Sequence, residues 1–152
     1  MASILTMTKA QPLRQLAAGD MLITEGDPGS DLFVLESGRL VVTREGVTIA
    51  TIDEPGALIG EMGVLLGIDH SASVRAETAA SVRVIEEGVA FLERTPLMAL
   101  HVATLACERL EKTSALVVEL RREAEERAED HGMFGRIFGA LTSPTSRGRT
   151  AG

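Results

Sequence analysis

The segment Ile59–Thr78, IGEMGVLLGIDHSASVRAET, gathers residue types suited to holding a small anion. It opens on the Gly60–Glu61 pair, passes through a short apolar turn, and reaches His70 and Ser71 before a strand-like stretch. Elsewhere the chemistry-bearing residues are dispersed. His70, His101 and His131 are scattered, and no acid–base–nucleophile set can be read, which points away from an enzyme. His101 and Cys107 stand six residues apart, off one helical face, so no metal site is expected. Cys107 reads as a buried apolar residue within a helix. No obligatory cofactor is expected.

The elements that must position this loop change character near Gly88. Before it, short runs alternate apolar and polar residues between turn signals: Met21–Gly26, Asp31–Gly38, RLVVTRE, VTIATID, SASVRAET and ASVRVIEE. The DPG at 27–29 separates the first two, Glu45–Gly46 splits a hairpin, and Pro55–Gly56 marks another turn. Strands this short, at this spacing, predict an antiparallel sandwich or barrel. After Gly88 the pattern turns helical. VAFLERT forms a short helix stopped at Pro96, which suits the first turn of the next. No Gly or Pro interrupts the stretch from Leu97 to about His131. Its residues Ala103, Ala106, Leu110, Thr113, Val117, Leu120 and Ala124 fall near heptad spacing. A helix of roughly 35 residues outreaches a small barrel, so the expectation is a homodimer paired through it.

Composition bounds the function. The chain has 152 residues, enough for one domain with its own core. Hydrophobic residues make up 45%, yet only four are Phe and none Trp or Tyr, so the core should be aliphatic. A net charge of −7 argues against a general nucleic-acid binder. The single cysteine excludes an intramolecular disulfide and fits a reducing compartment. No apolar run approaches the roughly 20 residues of a membrane span, and the N-terminus lacks a signal-peptide pattern. A cytoplasmic protein is expected. The domain is read as residues 1–131, including the long helix at about 97–131. Residues 132–152 are read as a flexible tail with one apolar segment, MFGRIFGAL, suited to docking on a protein partner or folding back.

With these elements in place, the sequence resembles the cyclic-nucleotide-binding domain family, in particular its catabolite activator branch. The resemblance covers roughly Leu16–Leu120. AAGDMLITEGDPGSDLFVLESGRLVV, GALIGEMGVLLG, SASVRAETAASVRVIE and ACERLEKTSALV carry it, with Gly19, Gly26, Gly38 and Gly60 at the family's turns. It implies a mainly β fold with α: an antiparallel β-roll, a jelly-roll-like barrel, followed by a long C-terminal helix. A cyclic nucleotide, cAMP or cGMP, would lie between them, held by Gly60, Glu61, Met62, His70, Ser71, Arg109, Thr113 and Ser114. Gly60 would let the backbone approach the ligand, and a short helix from Glu61 to Leu66 would aim its N–H groups at the phosphate. Glu61 would accept from the ribose 2′-hydroxyl, and Ser71 would donate to the phosphate. Arg109 would lie near the ligand, with Thr113 and Ser114 on the base.

One position departs from the family. His70 stands nine residues after Glu61, where binding members carry an arginine for the cyclic phosphate. Arginine offers a planar, always-charged fork; histidine is shorter and mostly neutral at neutral pH. Losing a hydrogen bond to a charged group costs about 1.5–3 kcal/mol, a weakening of about 10- to 150-fold. A bound phosphate would favour a protonated ring, so affinity would rise in mild acid. Arg75 or Arg109 would be the alternative cation, and loop drift after loss of binding is the competing explanation. Two functions follow: a weakened or altered cyclic-nucleotide sensor, or a ligand-free dimeric module whose tail docks on a larger protein. A DNA-binding module does not fit in the residues left after His131.

Overall fold

The computed structural model describes residues 3–142. Along the chain run α1 (Ile4–Thr8), β1 (Leu13–Leu16), β2 (Met21–Ile23), β3 (Leu32–Ser37), β4 (Leu40–Arg44) and β5 (Val47–Ile52). They are followed by β6 (Leu58–Ile59), α2 (Glu61–Leu66), β7 (Ser73–Ala76), β8 (Ala80–Ile85), α3 (Gly88–Arg94) and α4 (Pro96–Thr142). The strands form two four-stranded antiparallel sheets, ordered β1-β8-β3-β6 and β2-β7-β4-β5.

Packing follows from the alternation of side chains along each strand. In β3, Phe33 and Leu35 face the space between the sheets, with Leu22, Leu40, Ile59, Val74 and Val82. Leu32 and Val34 face the other way, into a second cluster with Ile4, Val64, Leu92, Met98 and Val102. One sheet is therefore covered on both faces. The inner strand β3 reads as a run of four buried apolar residues, where a half-exposed strand would alternate. The outer cluster seats α1, α2, α3 and the first turns of α4. Gly88 allows this: a β-carbon there would stand 2.6 Å from Leu32 Cγ and 3.1 Å from Val64 Cγ1.

The mainly antiparallel class and the long C-terminal helix match expectation. The barrel closure does not. Each sheet ends on strands that pair on one side only, β1 and β6 in one, β2 and β5 in the other. The two-residue β6 offers too few ladder bonds to bridge the sheets. The Glu45–Gly46 hairpin forms as read, both residues taking positive φ (51° and 77°), the geometry that matches strand twist in a two-residue loop. Three short elements, α1, β1 and β6, were not legible in the sequence.

The long helix extends further than its glycine pattern predicts. It begins on Pro96 and continues through Gly132, Gly135 and Gly139 to Thr142, so the described part of the expected tail is helical. Glycine costs about 1 kcal/mol against alanine in a helix but keeps its N–H donor, so it weakens a helix without ending it. Residues 143–152 lie outside the described part. The chain divides into two units, Met1–Leu105 and Ala106–Gly152. In the second, every described side chain is exposed. Cys107 is exposed with them, against the expectation of a buried residue.

Substituting Gly88→Ala should force Leu32, Val64 or α3 itself to move and cost about 1–3 kcal/mol of stability. Chemical denaturation checks this, with Val89→Ala, at the next and exposed position, expected to leave stability nearly unchanged.

Candidate functional site

The anion-type loop is built by β6, α2 and β7. At the end of β6 the chain must turn sharply, and Gly60 does so at φ +88°, as the residue that caps α2. Glu61 is the first residue of the helix, half-buried, with the next residue, Met62, exposed. The buried side of α2 is Gly63 and Val64; Val64 joins the outer cluster against β3. Gly67 ends the helix in the left-handed region at φ +64°, its N–H donating to Gly63 O, a glycine C-terminal cap. Ile68 N also donates to Gly63 O, at 3.1 Å. The return brings His70 and Ser71, both half-buried, back to the start of β7.

Backbone hydrogen bonds clamp this return to the β2–β3 turn. His70 N donates to Asp27 O at 3.0 Å, and Gly26 N donates to His70 O at 2.8 Å. Beside them, Glu25 N donates to Ser73 Oγ at 2.8 Å. The same turn holds the start of α3: Gly88 N donates to Ser30 O at 2.7 Å, and Glu87 N to Asp31 Oδ1 at 3.2 Å.

The His70 imidazole lies among three glycines. A β-carbon on Gly29 would overlap Nε2 and stand 2.7 Å from Cε1; on Gly63 it would stand 3.1 Å from Nδ1; on Gly60, 3.8 Å from Cε1. Neither ring nitrogen has a hydrogen-bond partner among the described residues. The ring also borders a cavity of about 330 Å³ with Arg14, Thr24, Asp27, Asp31 and Phe33. A second cavity of about 450 Å³ is lined by Gly63, Ile68, Asp69, Glu87, Val89 and Glu93. The Pro28–Ser30 turn borders both; Glu61, Met62 and Ser71 border neither.

The eight candidate residues thus fall into two groups. Gly60, Glu61, Met62, His70 and Ser71 share one loop in the first unit; Arg109, Thr113 and Ser114 lie exposed on α4 in the second. The Thr113 hydroxyl donates to Arg109 O at 2.8 Å, the backward bond that a helical threonine makes. Gly29 was missed as a site residue. Its DPG motif signals only a turn, and nothing local to it announces contact with a side chain 41 positions away. Among the described residues no group of three or more His, Cys, Asp or Glu could hold a metal ion, and no helix is long and apolar enough to cross a membrane.

Comparison with known proteins converges on one family. The model of the cyclic nucleotide-binding domain matches residues 13–92, more than half of the chain. A cGMP-dependent protein kinase of Caenorhabditis briggsae is 39% identical over 72 residues, 47% of this chain and 10% of the kinase. A cAMP-dependent protein kinase type II regulatory subunit of Drosophila melanogaster is 36% identical over 66 residues, 43% of this chain and 17% of the subunit. The chain therefore spans only a small part of these relatives. The Thermus thermophilus catabolite activator protein superposes with a TM-score of 0.65 at 28% identity, over 74% of this chain and 56% of that one.

Because Gly60 holds a positive φ and a β-carbon there would stand 3.2 Å from Asp31 O, Gly60→Ala should cost about 1–2 kcal/mol. Hydrogen exchange should report it as faster exchange of the α2 amides than of the β3 amides.

Proposed function

Because this chain belongs to the cyclic nucleotide-binding domain family, we propose that it is a non-enzymatic sensor that takes cAMP or cGMP on the Gly60–Ser71 loop. Binding is weaker than in members with an arginine at the position of His70. The observation that carries this reading is the placement of α2. Half-buried Glu61 opens the helix, while Val64 packs into the cluster that also holds Leu92 of α3 and Met98 and Val102 of α4. A ligand that contacts α2 differently in two positions would shift the packing of α3 and of the first turns of α4, as a population shift requires. Glu61 would accept from the ribose, and Ser71 with backbone N–H groups would meet the phosphate.

Self-association through α4 goes with this reading and also with the ligand-free alternative. Leu110, Val117 and Leu120 are 67%, 54% and 56% exposed. With Thr113 and Ala124 they fall on an alternating three- and four-residue spacing that, continued along the unbroken helix, reaches Phe138 and Leu141, also exposed. Exposed apolar side chains in such a row suit a second copy of the helix. Residues 132–142 then add to the dimer seam, and a larger protein partner for the C-terminal region belongs to the ligand-free alternative.

Two measurements check these statements. Calorimetric titration should show the wild type binding cAMP or cGMP, with Glu61→Ala weakening it by about 10- to 150-fold; no heat with either nucleotide would sink the sensor reading. Sedimentation should show a dimer for the full chain and a monomer for the Leu110→Asp/Val117→Asp variant, each with the same far-ultraviolet signature of the sheets.

A further inference from the structure

His70 occupies the family's phosphate-arginine position, yet its surroundings are those of a packing residue. The ring atom nearest a β-carbon on Gly63 is Nδ1, and the one nearest a β-carbon on Gly29 is Nε2, so the ring fills the space that side chains at both positions would need. An imidazole offers an oxyanion only those two nitrogens. Gly29 is not glycine for conformational reasons, since its φ lies outside the left-handed region; all three nearest neighbours of a β-carbon there are atoms of the His70 ring. The ring and the missing side chain are two halves of one contact, closed from below by the His70–Asp27 and Gly26–His70 backbone hydrogen bonds.

We propose that His70 is a positioning residue: its imidazole is a spacer that sets the distance between the β2–β3 turn and α2, with Gly29 as its matching half. The turn it braces also holds Ser30 O and Asp31 Oδ1 on the N–H groups of Gly88 and Glu87. Its spacing therefore fixes the start of α3 as well as the loop. The loop is held in shape by a side chain of the protein itself, and the phosphate is left to Ser71 and backbone N–H groups. This last point rests on the nucleotide reading above; the spacer itself does not.

The test has two arms that separate those claims. In the full chain, long-range ¹H–¹⁵N spectra follow the His70 ring nitrogens while cAMP, then cGMP, is added. The expected result is movement of the backbone amides of Gly60, Glu61 and Ser71 with the ring resonances unchanged. Ring nitrogens that move with the amides would make His70 a phosphate ligand and overturn the spacer role. If no amide moves with either nucleotide, the nucleotide reading fails and the second arm decides the spacer. There, Gly29→Ala should lower the melting temperature by about 5 °C or more, through overpacking against the ring. Adding His70→Ala should restore at least half of the loss, since the clash needs both partners. Losses that simply add would refute the pairing. Should Gly29→Ala fail to fold, a folded double variant supports the spacer and an unfolded one refutes it.

Discussion

The two-sided burial of β3 is the constraint on which the first unit depends. Four consecutive apolar residues cannot all face one side of a strand, so Phe33 and Leu35 go to the space between the sheets and Leu32 and Val34 to the opposite face. That second face has to be covered, and the covering layer is helical. Leaving one such side chain in water forgoes about 1.5–3 kcal/mol. The helices α1, α2, α3 and the first turns of α4 are therefore drawn onto the sheet by the same strand. The loop that carries the candidate site is consequently packed against the helices that follow it, with Val64, Leu92 and Met98 in one cluster.

Close approach between backbone segments is the second recurring device, and glycine supplies it in two distinct ways. At Gly60 the need is conformational, since the turn from β6 into α2 takes φ +88°. At Gly29 and Gly88 the need is for space: one admits the His70 ring, the other the Leu32 side chain. Between them lies a short chain of contacts from the His70 ring through the Pro28–Ser30 turn to the first residues of α3. Glu87, which caps α3 in the left-handed region at φ +49°, holds a conformation that costs a non-glycine residue free energy. Its N–H bond to Asp31 is part of what holds it there.

The second unit follows different physics. From Ala106 onward α4 has no buried side chain among those described. Its helicity rests on propensity and on pairs such as Arg127 with Glu123 one turn away. An exposed ion pair of this kind contributes only a few tenths of a kcal/mol. The exposed apolar row, with Leu110, Val117, Leu120 and Leu141, holds the larger part of the apolar surface that burial would stabilise.

The strand-then-helix order, the Glu45–Gly46 hairpin, the α3–Pro96–α4 junction and the Gly60–Ser71 loop were legible before any folding, because each is written in local spacing: alternation of period two, turn residues, and an uninterrupted run of helix formers. The family resemblance rested on the same ordered glycines, and the match over residues 13–92 agrees with it. What the folded chain adds is that the sheets stay open, that Cys107 is exposed, and that His70 meets Gly29. These depend on neighbours distant in the chain. Strand ends close into a barrel only if a partner reaches them, a cysteine is buried only if another element covers it, and a histidine's environment is set by the segment folded against it. Local pattern fixes what each segment can form; packing between segments fixes which atoms a functional residue is left facing.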